Sequence, residues 1–158
     1  MSLRAESAAP ASSTASTAGP SRVRRASLAT LVLVVAEYVI GMYVNLYATV
    51  PGADHGRDVG SAIANGPVML SIHAVLGLLL GLGALAVLWH AVRSRRPALI
   101  AWSAVGLIAL ALADVAGAGF TSSGDRAGSM AMSVFTGVAL LCYAANTYLV
   151  RPLGPRGG

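Results

Sequence analysis

Hydrophobic positions fall into four long runs separated by short polar breaks: Ser27 to Val50, Pro67 to Val92, Ala98 to Phe120 and Ser129 to Val150. Each is near the ~20 residues that about 30 Å of hydrocarbon requires of a helix. The pattern predicts an all-α polytopic membrane protein, an up-down four-transmembrane-helix bundle. The breaks are short, so consecutive helices are antiparallel neighbours and the second span stands diagonally across from the fourth.

Residues 1–21 have almost no large apolar side chains, so residues 1–26 read as a disordered, arginine-ended cytoplasmic tail, and residues 151–158 as a second tail. Arg24-Arg25-Ala26-Ser27-Leu28 is like a twin-arginine export signal, but the apolar run after it outlasts a signal core, so a retained anchor is expected. Of eleven arginines, nine lie in the two tails and the Arg93–Arg96 turn, and only Arg57 and Arg126 lie in the other two loops. By the positive-inside rule both termini face the cytoplasm of a bacterial inner membrane. Tyr47, Trp89 and Tyr148 sit where interfacial aromatic anchors belong. The 51–66 loop reads first as a solvated connector, with a cover over the bundle mouth as the alternative.

Composition closes off other classes. The chain is 158 residues long, 56% apolar and 11% charged, with a mean hydropathy of +0.70, which leaves no stretch for a soluble catalytic domain. A net charge of +5 would suit a nucleic-acid binder, but the arginines sit at segment ends and set topology, so the expected partners are the bilayer and a homo-oligomer or larger membrane complex, with no nucleic acid. Cys142 is the only cysteine, which excludes an internal disulfide or a cysteine cage.

The candidate chemistry is polar groups placed where lipid should be. Glu37, Gly41 and Asn45 share one face of the first span. At ~1.5 Å per residue Glu37 falls near the midplane, while Asn45, His73 and Asp114 form a layer toward the outer face on three different helices. An ionisable group at such depth turns inward and finds polar partners. The structural reading is that these groups satisfy one another; the functional reading is a pocket for a proton or ligand, since imidazole changes charge near neutrality. Helix contacts are expected at Gly41, at Gly77 and Gly81, at Ala109, Ala113 and Gly117, and at Ser133 and Gly137. No cofactor is expected in the leading reading, which is non-enzymatic. A b-type haem is the alternative, with His73 as one axial ligand and Met132 across the diagonal as the other; His90 lies about 25 Å further along the same helix and cannot share it. Soft ligation of Cu(I) by His73 with Met42, Met69, Met130 or Met132 is a further variant.

Two runs, Glu-Tyr-Val-Ile-Gly-Met-Tyr-Val-Asn-Leu-Tyr in the first span and Ser-Ile-His-Ala-Val-Leu-Gly in the second, resemble those of uncharacterised four-helix integral membrane proteins of high-GC bacteria. The resemblance implies the same fold and carries no function with it.

Overall fold

A computed structural model describes residues 18–47, 58–124 and 126–150, with side chains from Ser21 onward. Five helices follow in order: α1 (Ala18–Tyr47), α2 (Val59–Asn65), α3 (Val68–Ser94), α4 (Pro97–Ser123) and α5 (Arg126–Leu149). Four are long and apolar enough to cross a bilayer, and the chain is a multi-pass membrane protein. Its outside is the inverse of a soluble surface. Val32, Leu79, Ile108, Val115 and Leu141 all point outward, an apolar coat that only lipid can cover.

The long helices form a closed ring, α1 against α3 and α5, and α4 against α3 and α5. Neither diagonal pair, α1 with α4 or α3 with α5, brings its backbones close together. Local chemistry sets the ends. Pro97 opens α4 in its first turn, where the missing N–H costs nothing, and α3 ends on Arg95 in the left-handed region, whose N–H bonds Val92 O at 3.1 Å. Gly124 closes α4 in the same way at a φ of 68°.

The bundle has two unlike ends. At the arginine end, beside the α3–α4 turn, Val23, Ala91, Leu99 and Val150 draw four helices together. Above them Val34, Leu80, Ala84, Val87, Ala109, Leu110, Ala139 and Tyr143 form a dry core. The helices close tightly here because small residues line up opposite large ones. A methyl added at Gly106 would lie 3.0 Å from Tyr143 Cζ and 3.2 Å from Cys142 Cβ.

Two boundaries differ from the sequence pattern. Residues 18–26, expected within a disordered tail, continue α1, which therefore crosses from Ser21 to Tyr47; residues 1–17 and 151–158, expected as tails, lie outside the described set. The 51–66 loop contains a helix, α2, over residues 59–65. Asp58 starts it as an N-cap, accepting the Ser61 N–H at 2.8 Å, and Ala62 is buried against the bundle. Ser71 Oγ donates to Ile63 O at 3.0 Å and ties α2 to α3.

Candidate functional site

At the α2 end the ring does not close, and a cavity of about 340 Å³ opens between all five helices. Its volume lies at the lower end of small-molecule sites, roughly 300–1,000 Å³. Glu37, Asn45, His73, Asp114 and Met132 all line it, so the structure brings the sequence-derived polar layer and both proposed haem ligands to one space.

His73 Nδ1 lies 2.9 Å from Glu37 Oε1, joining α3 to α1. The approach is close but the ring N–H points off Oε1, and Oε2 of Glu37 is buried with no hydrogen-bond partner among the described residues. The Glu37 side chain is only 10% exposed. Spacing alone sets Glu37 beneath the His73 layer. In the structure it stands beside His73. Asp114 stands on α4, exposed at the cavity's edge. Asn45 Oδ1 accepts from Ser129 Oγ at 3.0 Å, a bond that seals α1 to α5 beside the cavity.

The glycines expected at helix contacts act differently from one another. Gly41 carries the His73 ring, with Cε1 2.9 Å from where a methyl would sit. At Gly77 the same point is 3.4 Å from Glu37 Oε1 and 3.8 Å from Asp114 Oδ1, and at Gly117 it is 3.1 Å from Met132 Sδ. These three glycines leave room for side chains of the site and not for a crossing backbone. Gly81 and Gly137 face open space, with nothing within 4 Å, and so make no close helix contact. Ala113 is buried and lines the cavity. A close backbone approach occurs at Gly128, where an added methyl would lie 2.9 Å from Ala116 O, a position the pattern of small residues does not single out.

Spacing also missed Val59 and Ile63, through which α2 walls the cavity, and Thr136, on α5. The first two were legible in principle, since Asp58 followed by apolar Val59, Ala62 and Ile63 is a cap and a one-sided helical turn.

For a metal the donor set is thin. Among the described residues no three His, Cys, Asp or Glu side chains form a group able to hold an ion. No family model, curated protein or solved structure matches the chain.

Proposed function

We propose that the chain is a non-enzymatic protein of the bacterial inner membrane, both termini cytoplasmic, whose cavity handles a proton or a small ligand through Glu37, His73 and Asp114. One observation carries the reading: a carboxylate–imidazole pair at 2.9 Å and a second carboxylate meet on the wall of a roomy cavity instead of filling it. In the other half Asn146 Nδ2 donates to Ser103 Oγ at 2.9 Å with both side chains fully buried. At the α2 end the polar groups instead border open space. Four helices leave no room for a private conduit through the dry half, so the site works within an oligomer or a larger membrane complex. The arginine distribution supports the orientation.

Proteoliposomes holding a pH-sensitive dye test this. Glu37→Gln and Asp114→Asn should each change the pH-dependent signal of the wild type. If both leave flux and thermal stability at wild-type values, the layer has no working role.

Haem ligation by His73 and Met132 is the second reading, favoured by the two side chains bordering one cavity from the diagonal helices α3 and α5. It requires a Soret band in the purified protein, lost in His73→Ala. A colourless protein that takes up no added haem removes it.

A further inference from the structure

The roof of the cavity is α2, through Val59 and Ile63, and the floor is the buried pair Leu80 and Leu110. Between α1 and α5, which are bonded through Asn45 and Ser129, a smaller hollow of about 30 Å³ bordered by Tyr38, Met42 and Ser133 meets the same Glu37 and His73. The side between α3 and α4 differs. Leu78 lines the cavity and is 67% exposed, and Asp114 lines it and is exposed too. Their neighbours Val75 and Val115 face outward, so this opening gives onto the hydrocarbon of the bilayer. Gly81, one turn from Gly77, has nothing within 4 Å and leaves the seam below unfilled. What enters by this route must first dissolve in lipid.

Charge selects among lipid-soluble molecules. Two carboxylates and one imidazole face the space, and no Arg is on its wall. With both carboxylates ionised and His73 protonated, the set lacks one positive charge. Glu37 and His73 compensate each other, while Asp114 has no hydrogen bond among the described residues. The two carboxylate oxygens, Glu37 Oε1 and Asp114 Oδ1, both lie within 4 Å of the vacant Cβ position of Gly77. Oε2 of Glu37 is unpartnered on a side chain nine-tenths buried. An ammonium group fits there: it brings the missing charge and several N–H donors to oxygens that lack them, where the low dielectric makes such bonds strong.

Resting on the reading of the cavity as a working site, we infer that it admits sideways, between α3 and α4, a membrane-partitioning amphiphile with a single ammonium head. The head lies at Gly77 between Glu37 and Asp114, and the apolar tail leaves past Leu78.

The test uses the full chain in nanodiscs of zwitterionic lipid, with radiolabelled dodecylammonium as the probe. Saturable binding is expected, at least tenfold tighter than that of dodecanol or dodecyl sulfate, and ethylammonium at equal concentration should not compete. Asp114→Asn should weaken binding at least tenfold, and Leu78→Trp should lower occupancy by narrowing the opening. Gly77→Ala serves as a control for folding, because its methyl would make only ordinary contacts with the two carboxylates. It should reduce binding without lowering the melting temperature. Equal binding of dodecanol or dodecyl sulfate, competition by ethylammonium, or wild-type affinity in Asp114→Asn overturns the inference. A normal pH response in vesicles with no dodecylammonium binding overturns it while sparing the proton-handling reading. Dodecylammonium binding without any pH response upholds it and confines the site to ligand capture.

Discussion

The arginine end and the α2 end of this bundle are built from the same residue types and reach opposite results. Glycine at position 106 lets Tyr143 and Cys142 press against α4, and the half around it is dry and full. Glycines at 41, 77 and 117 admit an imidazole, two carboxylate oxygens and a thioether, and the half around them stays open. In lipid, where apolar contact alone gives helices little reason to associate, close packing is what holds them. The dry half supplies that packing, and the open half is free to be used for something else. A small residue in a membrane helix therefore marks either a crossing or a vacancy, and only its neighbour tells which.

The sharpest way to break the comparison is to truncate Tyr143, fully buried in the dry half. Tyr143→Ala should lower stability by about 3 kcal/mol, the low end for an aromatic truncation, because a chain unfolded in detergent keeps part of the transfer term. Leu78→Ala at the open edge should cost almost nothing in the same denaturation assay. Tyr143→Phe should go the other way. The Tyr143 hydroxyl is buried without a hydrogen-bond partner among the described residues, so its removal should leave stability unchanged or raise it by up to about 1 kcal/mol. A loss of stability in Tyr143→Phe would mean that a water or another group satisfies the hydroxyl.

Next in size are the glycines. Gly106→Ala forces a methyl to 3.0 Å from Tyr143 and should cost about 1–3 kcal/mol as overpacking. Gly81→Ala meets nothing and should be neutral or gain up to about 1 kcal/mol of helix propensity. Equal effects at the two positions would show that the halves are packed alike. In the dry half Asn146→Ala removes the bond to Ser103 and should cost about 0.6–1.7 kcal/mol.

The four spans were legible because twenty apolar residues in a row have few other uses. Glu37, Asn45, His73 and Asp114 could be gathered on paper for a related reason: a charge or amide in lipid must turn inward, and helical rise then fixes its height. Height was the weaker half of that argument. It depends on where each span starts, and α1 starts before Ser27; in the structure Glu37 stands beside His73 and not beneath it. Gly81 and Gly137 were read as contacts because spacing shows that a residue is small but not what stands opposite it. The helix α2 was overlooked in favour of a connector, although Asp58 carried the signal of a cap. Short helices depend on tertiary contacts that a sequence does not display.

That cap gives the smallest and most local effect. Asp58 accepts the Ser61 N–H at 2.8 Å, and this bond, reinforced by the Ser61 side chain, holds the exposed carboxyl below its ordinary value of 3.8. A carboxyl with a depressed folded value stabilises the helix in its charged form. The contribution is thus complete above the unfolded value and disappears as pH falls through the lower, folded one. The Ser61 amide resonance, followed by NMR from pH 6 downward, should therefore stay constant until the pH drops below about 3.8 and then move as α2 frays. Asp58→Ala should show the frayed spectrum at every pH. Because α2 roofs only the cavity, amide exchange should quicken there and along the cavity-facing turns of α3 and α4, while the turns around Val87 and Leu99 keep their protection. Exchange that quickens equally at both ends would mean that the open half and the dry half melt as one unit, and that the cavity's roof cannot move without the rest of the bundle.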